Sequence, residues 1–377
     1  MNNRERILTL LSGRQPDRVP WFGDLDYWVT AMERRGDVAP GFSKGRAYFD
    51  LNRELGLGFY LQGYFPFQTV YDDSVHYEKR WVGNSRTETL ETPVGTMTAR
   101  WEYLPESFSE APVEHFVKRP ADLAVLRYVF EHTSYQPDYD ELERRRPYIG
   151  DNGVLLVYLP RSPFMQMVTE LVGIQTIVSL YMDAPDELDA TLRTMEISHD
   201  QAAEIALGAP ADCFMIPENL SSEVVGRRFF ERYLRPYETR WVTRIRAAGK
   251  YSFIHMDGTL KGLLREVASV GFDVIEAATP APVGDLTFEQ MRQLAGPRQI
   301  LWGGVPGIQF TDLVDDAEFD RQVCDVLGVM TREPRYVLGV ADQVPPGGLR
   351  RRVMRVADLV QEYGAYQPAR EQNNELH

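Results

Sequence analysis

A histidine and an aspartate two positions apart, His255 and Asp257 in the run HMDG, form the sharpest chemical pattern in the chain. In extended backbone, residues i and i+2 face the same side, so the pair presents an imidazole and a carboxylate together. Such a pair serves as half of a metal site or as an acid/base couple. A histidine bonded to an aspartate in a polar loop has the same spelling. Glu218, in MIPENLSSE, and Asp342, in LGVADQVPP, close two other apolar runs. One imidazole and three carboxylates suit a divalent cation such as zinc, manganese, iron or magnesium. Gathering several buried like charges without a cation is costly. Each acid also has a plainer reading: Glu218 as the cap of the next helix, Asp342 as the cap of the turn before Pro345 and Pro346.

Further polar residues sit near the ends of similar runs. Asp24 and Asp26 lie in RVPWFGDLD, Tyr158 and Arg161 at the end of GVLLVYLPR, and Glu276 within DVIEAAT. Arg161 has the fork that pairs with a substrate carboxylate or phosphate, or that makes a structural salt bridge. Glu276 can face a pocket or the core. Trp21, Tyr64 and the aromatic residues around them suit core packing, with a subset available as the flat wall of a ligand pocket.

These residues share one kind of setting. Six short apolar runs, ending near 160, 218, 257, 279, 305 and 342, alternate with amphipathic stretches long enough for helices. Two aromatic-rich runs, residues 18–26 and 55–64, bring the strand count to eight. Eight alternating units predict a single α/β domain, a (β/α)8 barrel over residues 1–365, with the chemistry at the C-terminal ends of its strands. No glycine-rich phosphate turn marks an open doubly wound sheet. Residues 65–150 break the rhythm. There YEKRWV and TMTARWEYL, separated by Thr92-Pro93-Val94-Gly95, predict an inserted hairpin or small antiparallel sheet, followed by helices at about 118–147. The opening reads as a short amphipathic helix that stops at Gly13 and Pro16, and residues 366–377 as a polar, frayed tail.

Composition limits the function further. The 377 residues are 44% apolar and 25% charged, which is globular in character. A net charge of −14 argues against a basic surface for nucleic acid. No stretch reaches the roughly 18 to 20 apolar residues of a membrane span, and the N-terminus has no signal-peptide pattern. Two cysteines, Cys213 and Cys324, exclude a disulfide framework and a multi-thiolate zinc site. The expected compartment is the cytoplasm.

Four segments, RERILTLLSGRQPDRVPW, HMDGTLKGLLREVASVGFDVIEAATPAPVGD, GPRQILWGGVPG and YVLGVADQVPPG, resemble the uroporphyrinogen decarboxylase superfamily, and more closely its methyltransferase-like branch. The resemblance follows the order of the eight expected strands and implies a (β/α)8 barrel with a cleft at its C-terminal face. The decarboxylases of the family carry an Arg-Gln-Ala-Gly-Arg motif after the first strand, where this chain reads DLDYWVTAMERRG. The cobalamin-linked methyltransferases hold zinc with a His-x-Cys pair and a distant Cys. Here His255 matches the histidine, Asp257 stands at the first cysteine position and Asp342 near the second.

The resemblance therefore implies metal-assisted methyl transfer from a small O-methyl or N-methyl substrate to a separate corrinoid protein. His255, Asp257, Asp342 and Glu218 would bind the metal, zinc foremost, then manganese or iron. Glu218, Asp24 and Asp26 are the catalytic candidates, and Arg161, Tyr158, Trp21, Tyr64 and Glu276 the substrate-binding ones. A homodimer is expected by resemblance alone. The alternatives are decarboxylation of a porphyrinogen-like or other carboxylated substrate, with Asp24 or Asp26 stabilising a cationic ring, and a barrel that binds a ligand without catalysis.

Overall fold

A strand rich in Val, Ile, Leu and Phe on both faces is at home only where both faces are covered, which is the situation of a parallel sheet between helices. The six apolar runs take that place in the computed structural model, which describes residues 1–60 and 63–367. In chain order, residues 67–137 first supply β1 (Phe67–Tyr71), β2 (His76–Val82), β3 (Ser85–Thr92), β4 (Gly95–Leu104), β5 (Ser109–Glu114) and β6 (Thr133–Pro137). The parallel sheet follows: β7 (Leu156–Tyr158), β8 (Cys213–Leu220), β9 (Tyr251–Met256), β10 (Val274–Ala278), β11 (Ile300–Pro306) and β12 (Tyr336–Ala341). Their order in the sheet is their order in the chain. Helices Pro185–Leu207, Arg235–Ala247, Leu264–Val270, Phe288–Ala295 and Asp316–Met330 lie in the successive connections, and Arg350–Tyr363 follows β12.

The two expected N-terminal strands are reduced to isolated parallel bridges. Trp21 pairs with Leu338 on β12, Phe22 with Gly58, and Phe59 with Gly153, just ahead of β7. Proline explains part of this shortness. Pro20 accepts a hydrogen bond from Leu338 but has no N–H to return. The expected second strand also includes residues 61 and 62, which lie outside the described residues, as do residues 368–377 of the expected tail.

The sheet has two distinct apolar faces. One carries Leu156, Cys213, Met215, Phe253, Val274, Ile300, Trp302 and Val337, joined by Phe22 and Tyr60. Ile7, Leu10 and Leu11 from the N-terminal helix Asn3–Leu11 pack into the same cluster, so that helix covers one end of the inner face. Asn2 starts the helix with a capping box shared with Glu5. The other face packs against the surrounding helices in a larger cluster.

The antiparallel part is larger than a hairpin. Strands β2 to β5 make a four-stranded meander, and β1 pairs with β6 across the base of the segment. The turn at Pro93-Val94 joins β3 to β4, not YEKRWV to the next run, because SRTETLET forms a strand of its own between them. Helices Asp122–Glu131 and Asp140–Ile149 occupy the predicted helical stretch, separated by β6.

Candidate active site

Alternation along each strand decides which side chains enter the site. Phe253 is on the inner face of β9, so His255 two residues on is too; Val274 places Glu276 on the inner face of β10, and Leu156 places Tyr158 on that of β7. His255 and Glu276 are direct register partners across β9 and β10. His255 Nδ1 lies 2.6 Å from Glu276 Oε2, and Glu276 Oε1 accepts the Tyr60 hydroxyl at 2.7 Å. His255 Nε2 is 3.9 Å from Asp342 Oδ1.

Backbone irregularities at the strand ends aim these groups. Ala277 has φ 64° and Asp342 φ 75°, a left-handed conformation that costs an L-residue roughly 1–2 kcal/mol. At Ala277 the β10–β11 register shifts, as at a bulge. Simple alternation beyond Ala341 would turn Asp342 away from the inner face, and its positive φ brings the carboxylate toward His255.

Asp24 completes the cluster. It is 3% exposed, its Oδ1 accepts from the Asp26 amide at 2.8 Å, and its Oδ2 accepts from Gln343 Nε2 at 3.0 Å. Asp26 opens the helix Asp26–Arg35, where a carboxylate also suits the helix dipole, and its side chain bonds to Tyr48. Burial, and then the nearby charges of Asp26, Asp342 and Glu276, push the Asp24 carboxyl well above the usual carboxylate range. Burial opposes a charge on His255, but Glu276 in contact, with Asp342 and Asp257 beyond, outweighs it and holds the imidazolium up to about 9. Asp342 keeps 54% of its side chain accessible, yet the concave surroundings strip enough hydration to raise its pKa. Burial, followed by Asp24 and Glu276, pushes the Tyr158 hydroxyl well up. The cluster is thus a single imidazolium among carboxyl groups, positioned to donate a proton or to hold an oxygen.

Glu218 does not join it. Cys213 and Met215 face inward on β8, so Glu218 faces outward, and there it is fully buried. Its Oε1 accepts the Ser162 amide at 2.9 Å, while its Oε2 and both oxygens of the buried Glu238 have no hydrogen-bond partner. The expected four-residue metal site therefore fails on geometry. Glu218 lies on the other face of β8, whereas Nε2 of His255 stays open toward Asp342 with Nδ1 held by Glu276. Among the described residues no three His, Cys, Asp or Glu side chains gather as a metal-binding group. Of the four expected ligands, His255 and Asp342 stay together, with Nε2 3.9 Å from Oδ1.

Burial pushes the Glu218 carboxyl up from 4.5 to about 7 against the hydrogen bonds from Ser162. A carboxyl raised in the native state loses stability as pH rises from its unfolded pKa to its folded one. Glu218→Gln is therefore expected to gain about 3 kcal/mol over the parent at pH 8 and almost nothing at about pH 3, where the carboxyl is neutral both folded and unfolded. Urea denaturation at the two pH values checks this; equal gains at both would refute it.

Three other expected contacts are relocated. Trp21, adjacent to the inward Phe22, faces outward and stacks on Phe310 with ring centroids 6.4 Å apart, so it is a core residue rather than a pocket wall. Tyr64 is half-buried, and its hydroxyl donates to the Asp138 carbonyl. Arg161 pairs with Glu170 rather than reaching the histidine cluster. Sequence reasoning placed Tyr60 only among the aromatic residues around Trp21 and Tyr64, and missed Gln343, Tyr48 and Glu238.

A search of curated proteins returns no match. Among solved structures, a methyltransferase from Methanosarcina mazei aligns with a TM-score of 0.62 over 96% of this chain and 99% of its own, at 14% identity, which is a likeness of fold. No helix among the described residues is long and apolar enough to cross a membrane. The family model for uroporphyrinogen decarboxylase (URO-D) matches residues 111–363, well over half of the chain, and the protein belongs to that family.

Proposed function

We propose that this chain is a methyltransferase of the corrinoid-linked type, with His255 as the proton donor to the departing group. The observation that carries this reading is the imidazole fixed by Glu276 through Nδ1, with Nε2 directed toward the carboxylate of Asp342. An ether oxygen or an amine leaves its methyl carbon far more readily when it is protonated as the bond breaks. In the balanced step, an electron pair of the acceptor forms the new bond to the methyl carbon. The C–O or C–N bond breaks, and the proton from Nε2 goes to the oxygen or nitrogen. The acceptor in this reading is a corrinoid carried by a separate protein, which supplies the nucleophile. Glu276 and Tyr60 hold the ring in place, and Glu276 with Asp342 and Asp257 stabilises its charge.

The same electrostatics select the substrate. Glu276, Asp342 and Asp257 act on one cation, so a polycarboxylate is repelled, while a neutral ether or a methylated amine is accepted. No arginine is hydrogen-bonded into this group among the described residues, which weighs against the decarboxylase alternative. The six strands and the bridges at Trp21, Phe22 and Phe59 are read as one closed (β/α)8 barrel, a single domain over residues 1–365, working in the cytoplasm.

The test is to incubate the purified protein with cob(I)alamin and a panel of O-methyl and N-methyl compounds, with and without a strong chelator. Methylcobalamin formation that survives chelation is the expected result. Abolition by the chelator would return the metal to the mechanism. Release of carbon dioxide from carboxylated compounds, with no methyl transfer from the panel, would overturn the proposal.

A further inference from the structure

A cavity of about 500 Å³ lies between the antiparallel strands and the helices Asp122–Glu131 and Pro185–Leu207. It shares no lining residue with the Asp24–His255–Glu276–Asp342 cluster. Strand alternation builds its walls: Phe67, Thr69 and Tyr71 face it from β1, and Arg86, Glu88 and Leu90 from β3. The walls are strongly aromatic. Phe65 meets Phe67 at 5.7 Å and Phe67 meets Tyr135 at 5.5 Å, both edge to face, and Trp101 adds a third side with Arg86 over its ring at 4.0 Å. Both cations in the wall are already balanced, Arg86 by Glu88 and Arg161 by Glu170. The cavity thus has the size of a small-molecule site, faces suited to a flat ring, and no surplus charge to attract an ion.

One polar atom sets the orientation of such a ring. His199, 3% exposed, stands in the cavity wall edge-on to Phe130, with its Nδ1 3.1 Å from the carbonyl oxygen of Arg161. A carbonyl only accepts, so Nδ1 carries the proton. Burial also lowers the pKa of this imidazole to about 4, which keeps it neutral. Nε2 is then a bare lone pair. It takes no hydrogen bond among the described residues, and it is not one of the sealed, unpartnered polar atoms of the interior. We infer that this cavity is a second binding site, for a neutral planar aromatic compound whose O–H or N–H donates to Nε2 of His199.

The probe pair is 2-naphthol, which has the donor, and 2-methoxynaphthalene, which has the same rings without it. Equilibrium titration should show 2-naphthol binding about tenfold more tightly, the worth of one neutral hydrogen bond in a dry site. His199→Phe keeps a ring in place and should bring 2-naphthol down to the affinity of its methyl ether. Thr69→Trp, at an exposed wall position, should weaken both probes by filling the space. The ¹⁵N resonance of His199 Nε2 in the unaltered protein should move with 2-naphthol and stay with 2-methoxynaphthalene, a readout independent of any variant's folding. Equal affinity for the two probes, a still resonance, or unchanged binding in Thr69→Trp would overturn the inference.

Discussion

His255→Gln should lower methyl transfer by roughly 10³-fold, within the range set by removing a positioned proton donor. Glutamine retains an N–H for Glu276, which is 1% exposed, so the loss reports missing proton transfer more than a collapsed site. His255→Ala strands that carboxylate and should cost several kcal/mol in addition, because an uncompensated buried charge is among the most expensive defects in a protein. The pH profile is the discriminating readout. Turnover in the parent should fall as pH rises through about 9, where the imidazolium loses its proton. Stability carries the same signature. A histidine whose folded pKa exceeds its unfolded value of 6.5 contributes fully below about pH 6.5, and that contribution, about 3 kcal/mol, is lost as pH rises through about 9. His255→Gln should flatten that part of the stability curve. A variant that turned over normally, with an unchanged profile, would refute the assignment.

The second large effect is purely steric. Gly153 is extended, with φ 177°, so alanine there suffers no backbone strain. Its Cβ, however, would lie 1.8 Å from the carbonyl oxygen of Phe59. That contact is the bridge that brings residues 58–59 against the chain entering β7. The backbones must part, breaking the bonds from Phe59 N to Asn152 O and from Val154 N to Phe59 O. Gly153→Ala is therefore expected to cost about 3 kcal/mol or more, at the severe end of single substitutions. Gly226→Ala is the control, since its Cβ meets nothing within 4 Å. Denaturation midpoints compare the two, and equal stabilities would show that the junction yields easily.

The six strands of the parallel sheet were legible because each lies in a continuous apolar run, and a run of that kind has few other places to go. The first two were overcalled. Their aromatic residues signalled burial, but the chain pairs there only through isolated bridges at Trp21, Phe22 and Phe59. For the site, spacing singled out His255, while Glu276 stayed open between pocket and core until the strand register placed it beside His255. Glu218 was misplaced by counting from the end of its run, when alternation from Cys213 and Met215 already pointed it outward. Trp21 fails by the same parity. Tyr60 and Gln343 could not be paired with Glu276 and Asp24 in advance, because those contacts join residues more than two hundred positions apart. Glu238 was hidden among the charges of a helix that reads as solvent-facing.

The Trp21–Leu338 bridge also bears on how the protein is made. Its two halves are more than three hundred residues apart, so at synthesis rates of about 5–20 residues per second the first segment leaves the ribosome tens of seconds before its partner exists. Throughout that interval Phe22 and the apolar side of the N-terminal helix have nothing complete to bury against. Nascent chains of this protein should therefore be held by chaperones until β12 emerges, and truncation anywhere before residue 336 should leave a product that aggregates rather than a smaller stable domain.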